Sequence, residues 1–343
     1  MQITDYEFDL PDELIAQTPL AKRENSRMLI VNRAENSRRD AQFYDFPNFL
    51  RKSDILVLNN TKVFPARLFG ESETGAKIEI FLVKETENQI WETLARPAKR
   101  LKIGKKIVFN ENLTAEVTGK SEDGRVYIRF RVVGNFDEIL DKIGKTPLPP
   151  YIKRDDGKLD EDRERYQTVF AKHRGAIAAP TAGLHFTPQI LEEIKNQGVS
   201  VKEITLHVGY GTFEPVRVRD LSQHKVTPEN YKISEATAET LNRAKAEKRR
   251  IIAVGTTTTR ALESALANNK KFVAGKNTAN LTITPNYKFQ AIDGLLTNFH
   301  LPQSSLLVLV STFGGCELIM NAYRHAARSR YRFYSYGDCM FVF

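Results

Sequence analysis

The chain has only two cysteines in 343 residues, too few for a disulfide framework or a four-cysteine zinc site. Neither Cys316 nor Cys339 belongs to a C-x-x-C pair, and no H-E-x-x-H run occurs. No metal is therefore expected, and the reducing cytoplasm is the expected compartment. Long apolar runs are also missing. The longest candidate, residues 306–313, spans eight positions, where a membrane-crossing helix needs about 18. The first nine residues are acidic and lack the basic-then-apolar pattern of a signal peptide, so neither a leader nor a membrane partner is expected. No G-x-S-x-G elbow is present, and no G-x-G-x-x-G follows an early strand. The run Gly70-Glu-Ser-Glu-Thr-Gly75-Ala76-Lys77 only imitates a phosphate loop. Its lysine is displaced by Ala76, no Ser or Thr follows, and two glutamates would repel phosphate. It reads as a hairpin turn.

What is present describes a globular chain. Apolar residues make up 41% and charged residues 27%, too apolar for disorder. A single core rarely grows past roughly 250–300 residues, so two domains are expected. Lys and Arg number 51 against 42 Asp and Glu, a net charge of +9. That moderate surplus suits an anionic partner such as nucleic acid without requiring one.

The texture changes along the chain. Residues 54–58 read as a buried strand. Residues 77–84, 89–95, 106–110, 113–118 and 125–133 are short β-prone stretches separated by turn signals, which suggests a small antiparallel barrel. Residues 136–143 are helical, and Pro147-Leu-Pro-Pro150 is a stiff connection. Beyond it, strands near 175–179, 201–208, 251–254, 289–296 and 340–343 alternate with helices near 188–196, 236–248, 257–268, 304–313 and 317–327. The expected fold class is therefore α/β: a mostly parallel sheet with an inserted small antiparallel β-barrel. The expected boundaries are 1–66 plus 148–343 for the α/β domain and 67–147 for the barrel.

Four polar loops follow apolar strands. They are Thr181-Ala-Gly183-Leu-His185, His207-Val-Gly209-Tyr-Gly211-Thr212, Gly255-Thr256-Thr257-Thr-Thr-Arg260, and Asn298-Phe-His300. Each alone is either a ligand loop or a tight capping turn. Together they should meet at the C-terminal rim of the sheet, where such folds bind ligands. His185, His207 and His300 are the candidate proton carriers, since imidazole titrates near neutral pH. Two basic stretches stand apart. Residues 318–337 contain no acid but carry Arg324, Arg328, Arg330 and Arg332 among aromatic residues; Lys99, Arg100 and Lys102 form a second patch. Each is either an RNA contact or a solvated basic face.

The chain is similar, nearly end to end, to the S-adenosylmethionine:tRNA ribosyltransferase-isomerases of queuosine biosynthesis. The likeness is carried by Arg23-Glu-Asn-Ser26-Arg27, by residues 59–68 (Asn-Asn-Thr-Lys-Val-Phe-Pro-Ala-Arg-Leu) and by Pro147–Ile152. It continues through Arg165-Tyr-Gln-Thr-Val169, the run Ala-Pro-Thr-Ala-Gly-Leu-His-Phe at 179–186, and residues 206–215. Gly255-Thr-Thr257 with Arg260, residues 297–302, Met320-Asn-Ala-Tyr323 and residues 331–341 complete it. Two departures stand out. Asn60 replaces a family Asp, and Thr227 replaces the second histidine of a His-x-Met-His-x-Glu pattern.

The resemblance implies an α/β domain carrying a β-barrel. It implies transfer and isomerisation of the ribosyl group of S-adenosylmethionine onto 7-aminomethyl-7-deazaguanine at a tRNA wobble position, with loss of adenine and methionine. S-adenosylmethionine is then a consumed substrate, no cofactor is expected, and the partners are that tRNA and S-adenosylmethionine, met by a monomer. In this frame Thr181, Gly183, Gly209, Gly211, Thr212, Thr256, Thr257 and Asn298 are expected around the substrate. Arg260 is expected on its carboxylate, and Tyr336 or Phe213 on its sulfonium by cation–π attraction. Two alternatives remain: a methyltransferase using S-adenosylmethionine, and a tRNA-binding relative impaired in catalysis by Thr227.

Overall fold

The computed structural model describes residues 1–154, 159–209, 211 and 216–343. Seventeen strands and seven α-helices are assigned among them. The first four strands are β1 (Arg27–Asn32), β2 (Ser37–Gln42), β3 (Ile55–Asn59) and β4 (Thr61–Val63). Six more form a closed barrel: β5 (Arg67–Ser72), β6 (Lys77–Glu87), β7 (Ile90–Arg96), β8 (Lys106–Asn110), β9 (Leu113–Lys120) and β10 (Val126–Val132). Helix α1 (Phe136–Ile143) follows, then α2 (Leu159–Arg165), β11 (His173–Ala176) and α3 (Pro188–Asn196). The remainder is β12 (Ser200–Leu206), β13 (Glu229–Ile233), α4 (Glu235–Ala246), β14 (Ile251–Val254), α5 (Thr256–Asn269), β15 (Gly275–Ala279), β16 (Gly294–Asn298), α6 (Ser305–Gly314), α7 (Cys316–Arg328) and β17 (Cys339–Val342).

Barrel closure follows from strict alternation. Ile78, Ile80 and Leu82 on β6, Leu113, Ala115 and Val117 on β9, and Val126, Ile128 and Phe130 on β10 all point inward to one core. Between β5 and β6 lies the expected hairpin, where Ser72 Oγ accepts from Ala76 N. The phosphate-loop imitation is thus a turn.

The large sheet runs β15-β13-β12-β3-β14-β16-β17-β1-β2. Its central strands β12, β3, β14 and β16 are parallel neighbours, while both edges are antiparallel. The centre is buried on both faces. Ile55 and Val57 join the core under α4 to α7, whereas Leu56 and Leu58 join the core under α3. Local chemistry starts most helices. Asn135, Thr187, Ser234 and Ser304 each accept a backbone N–H at the start of α1, α3, α4 and α6. Among the described residues no single helix is long and apolar enough to cross a membrane.

Candidate active site

Because the four central strands are parallel, their C-terminal ends share one rim. There the loops after β11, β12, β14 and β16 meet around a cleft of about 580 Å³ that opens to solvent. Thr181, Thr256, Thr257, Asn298 and His300 line it, as their loop positions led one to expect. The loop after β12 contributes Val208 rather than a histidine or glycine. β17 is antiparallel to β16, so the residues preceding it, Tyr334 and Ser335, reach the same rim. Tyr151 and Tyr166 complete the wall.

The start of α5, like that of α7, differs from those of α3, α4 and α6, which carry side-chain caps. Its cap position is Gly255 at φ +93°, with no side chain bonded to the first turn. A residue with a Cβ is strained at that φ, and glycine is not. Thr258 and Thr259 turn their hydroxyls back to Val254 O and Gly255 O. The first N–H groups of the helix therefore have no side-chain acceptor at the cleft. An uncapped N-terminus of this length carries a partial positive charge suited to an anionic group.

The three histidines differ. His185 has both nitrogens engaged: Nδ1 with Ser26 Oγ at 2.7 Å and Nε2 with Asn298 Oδ1 at 3.1 Å. Asn298 Nδ2 donates to the carbonyls of Tyr334 and Ser335, so its Oδ1 must accept. His185 Nε2 then carries the proton, and Ser26 donates to Nδ1. His185 thus holds Asn298, and through it the Tyr334–Ser335 wall, without lining the main cleft. His207 Nδ1 meets Thr61 Oγ1 at 2.7 Å, and its ring fills the space where a Cβ on Gly175 would stand. His207 is likewise absent from the cleft lining. Only His300 faces the cleft, with Nε2 on Thr297 Oγ1 at 3.0 Å and no partner at Nδ1 among the described residues.

Burial also shifts these rings. Desolvation lowers the pKa of His185 to about 4 and of His300 to about 3, and it lowers that of His207. All three are neutral at pH 7, so none begins as an acid. An unfolded histidine titrates near 6.5. Below that pH the unfolded chain takes up protons that the folded chain refuses. Stability is therefore lost as pH falls from about 6.5 toward 4 and is unaffected by these groups above 7. Between pH 6.5 and 5 the loss is on the order of 2 kcal/mol for each of His185 and His300. The urea midpoint is expected to drop over this range, and more steeply in the natural protein than in His185→Gln. Equal slopes would refute the assignment.

Several other expected ligands have structural work. A Cβ on Gly183 would lie 2.7 Å from Phe170 Cζ, so this glycine permits packing and does not approach the cleft. Gly209 N donates to Glu229 Oε1, and Gly211 packs on Thr227. Thr212 and Phe213 lie outside the described residues. Arg260 is buried and ion-paired to Glu229 at 2.9 Å, and it also donates to the carbonyls of Thr227, Ala279 and Leu281. These partners replace the carboxylate role expected for it. Tyr336 donates to Asp162 at 2.6 Å below the wall, so it does not face the main cleft. The aromatic faces at the cleft belong instead to Tyr151 and Tyr334, whose rings meet edge to face at 3.8 Å.

A sequence profile described as "Queuosine biosynthesis protein" matches residues 3–342. A protein of Carboxydothermus hydrogenoformans is 48% identical over the whole of both chains, and one of Clostridioides difficile is 47% identical over the whole of both. Both are named S-adenosylmethionine:tRNA ribosyltransferase-isomerase. The chain belongs to the S-adenosylmethionine:tRNA ribosyltransferase-isomerase family of queuosine biosynthesis. It is also similar to a crystal structure of S-adenosylmethionine tRNA ribosyltransferase from Thermotoga maritima. The identity there is 33%, the TM-score 0.56, and the match covers 99% of this chain and 100% of that one.

Within this ribosyltransferase-isomerase fold, the departure at Thr227 falls away from the main cleft. Thr227 O braces Arg260, and its side chain packs on Gly211. The basic residues divide. Arg324, Arg328 and Arg330 are exposed on and after α7, with Arg330 3.8 Å from Glu13. Lys99, Arg100 and Lys102 are exposed on the barrel. Arg332 is half-buried, its guanidinium on Thr18 O. Of the aromatic residues interleaved with these arginines, Tyr323, Tyr331 and Phe333 are fully buried in the core and offer no face to a base. Sequence reasoning missed Tyr151, Tyr166, Ser335 and Val208 as lining residues. Tyr151 and Tyr166 fell inside family-like segments, which was the available signal.

Proposed function

We propose that the protein transfers and isomerises the ribosyl group of S-adenosylmethionine onto 7-aminomethyl-7-deazaguanine at the wobble position of a tRNA in the cytoplasm. The products are epoxyqueuosine in the tRNA, adenine and methionine. S-adenosylmethionine is consumed as a substrate, and residues 67–147 are an inserted barrel domain. The observation that carries this reading is the cleft. It joins an uncapped helix start, two tyrosine faces and one neutral histidine whose Nδ1 has no partner among the described residues.

These features match the charges of the substrate. The methionine carboxylate suits the first turn of α5, with Thr256 and Thr257 beside it. The sulfonium suits the faces of Tyr151 and Tyr334, an attraction of about 0.5–2 kcal/mol. Tyr166, whose buried hydroxyl lacks a well-placed partner among the described residues, supplies a donor to the ribose or base. A sulfonium acidifies the adjacent 5′ carbon. His300 takes that proton on Nδ1 and, as an imidazolium in a desolvated wall, gives it to the departing adenine. His185 and Asn298 hold the wall and do not move protons.

Incubation with S-adenosylmethionine and tRNA bearing the aminomethyl base is expected to release free adenine and to add mass to the tRNA. S-adenosylhomocysteine in place of adenine would establish the methyltransferase alternative. RNA binding without either product would establish the impaired one.

A further inference from the structure

Beside the main cleft, and separated from it by Ser335, lies a second, smaller cleft lined by Arg23, Arg165, Ser26 and His185 on one side and Pro19 and Leu20 on the other. Arg332 does not line this cleft but bonds Thr18 O, next to its lining residue Pro19. The three arginines come from distant stretches of chain; two of them hold the segment Thr18–Ala21, and the third, Arg23, follows that segment and ties it to Gln167. Arg165 donates to Leu20 O and Ala21 O, Arg332 to Thr18 O, and Arg23 to Gln167 O.

None of the three has a carboxylate within ion-pair distance among the described residues. Elsewhere the fold pairs its buried arginines: Arg154 with Asp162, Arg250 with Asp54, Arg260 with Glu229. Two N–H groups of the cluster, Arg165 Nε and Arg332 Nη1, are shielded from solvent and have no acceptor among the described residues. Buried donors without acceptors are rare and point to a missing partner. Burial, and next the neighbouring Arg165, weaken the hold of Arg23 on its proton, which places the guanidiniums within each other's field. Glu164 and Glu24 act on Arg23, and Asp338 on Arg332, only from beyond ion-pair distance, and half-buried positive charges so weakly compensated are costly unless an anion completes them.

The geometry points to an anion subsite built by Arg23, Arg165 and Arg332 that takes a phosphodiester of the substrate RNA next to the target nucleotide. This rests on the function proposed above. An enzyme that reacts on one base draws that base into its pocket and leaves the backbone outside. The phosphates of the target nucleotide must then lie just beyond the wall of the main cleft, where these guanidiniums stand. Guanidinium forks match phosphate oxygens in pairs. The other anion at hand, the methionine carboxylate, already has the first turn of α5 inside the main cleft.

The test uses the full-length protein and an anticodon stem-loop carrying the aminomethyl base. Arg165→Met and Arg23→Met are each expected to weaken RNA binding about tenfold at 0.1 M salt and to lower the slope of log Kd against log salt by about one. The KM for S-adenosylmethionine should stay within about twofold of the natural protein. Because Arg165 also anchors Leu20, a second measurement keeps the protein constant. Phosphates around the target nucleotide are replaced one at a time by neutral methylphosphonate. One position should weaken the natural protein about as much as Arg165→Met does, and it should not weaken Arg165→Met further. Unchanged affinity and slope in the variants would overturn the subsite, as would a stem-loop with no sensitive phosphate. A raised KM for S-adenosylmethionine with RNA affinity intact would assign the cluster to the carboxylate and overturn it too. A natural protein that binds this RNA through the cluster but releases no adenine would instead defeat the proposed reaction and leave the subsite standing.

Discussion

His300→Ala is expected to lower the rate of adenine release by about 10²–10⁴-fold with little change in the affinity for S-adenosylmethionine, the usual range for loss of a general acid–base. The reason is positional. His300 is the only one of the three site histidines that lines the main cleft, and its Nδ1 has no partner among the described residues. His300→Asn, which keeps a polar group, should remain nearly as slow, because an amide does not carry a proton. Single-turnover adenine release and calorimetric binding separate the two quantities. A loss under threefold would remove His300 from the chemistry.

The other two histidines should rank below it for different reasons. His185→Gln retains hydrogen bonding at the buried site and is expected to slow the reaction through the displaced Tyr334–Ser335 wall. His207→Ala opens a gap over Gly175 away from the cleft, with the smallest effect. The pH profile carries the same logic. His300 is neutral above about pH 4 and titrates near 3, so its own titration should leave no inflection in adenine release between pH 6 and 8.

Much of the scaffold was readable because local chemistry and burial agree. Asn135 and the pair Thr187-Pro188 mark the starts of α1 and α3, and the expected spans match the observed ones at both ends. Five of the six barrel strands were readable from turns and apolar spacing, whereas β5, Arg-Leu-Phe-Gly-Glu-Ser, was not. The edges of the large sheet were not readable. β2 is Ser-Arg-Arg-Asp-Ala-Gln and β15 is Gly-Lys-Asn-Thr-Ala, polar stretches that become strands only through pairing with β1 and β13.

The site shows the same division. A rim of strand-end loops was foreseeable from parallel strands alone, and Thr181, Thr256, Thr257, Asn298 and His300 do meet there. What each polar residue does depends on partners far away in sequence. His185 looks like a proton carrier until Ser26, 159 residues distant, and Asn298 occupy both its nitrogens. Gly183 looks like a ligand contact until Phe170 is placed against it. Tyr334 reaches the cleft on a backbone at φ +74°, a conformation no pattern of side chains announces.

Arg260 is the clearest case, and its replacement is expected to have the largest effect on stability. Arg260→Ala removes the guanidinium ion-paired to buried Glu229 and leaves the carbonyls of Thr227, Ala279 and Leu281 without that donor. Removing one member of a buried ion pair costs about 3–5 kcal/mol. For a chain with a stability of roughly 5–15 kcal/mol, much of the margin would go. Glu229→Gln keeps hydrogen-bonding atoms and should cost less. The double variant Arg260→Ala with Glu229→Gln removes both charges together, so it should be clearly more stable than the sum of the two single losses predicts. Urea unfolding of the four proteins measures this coupling. Binding of the substrate carboxylate by Arg260 makes the opposite forecast: a melting temperature nearly unchanged and a KM for S-adenosylmethionine raised more than tenfold. The closed ring of acceptors around the guanidinium decides between them, because a side chain already committed to Glu229 and three carbonyls cannot turn to a ligand without breaking the brace between β13, α5 and β15.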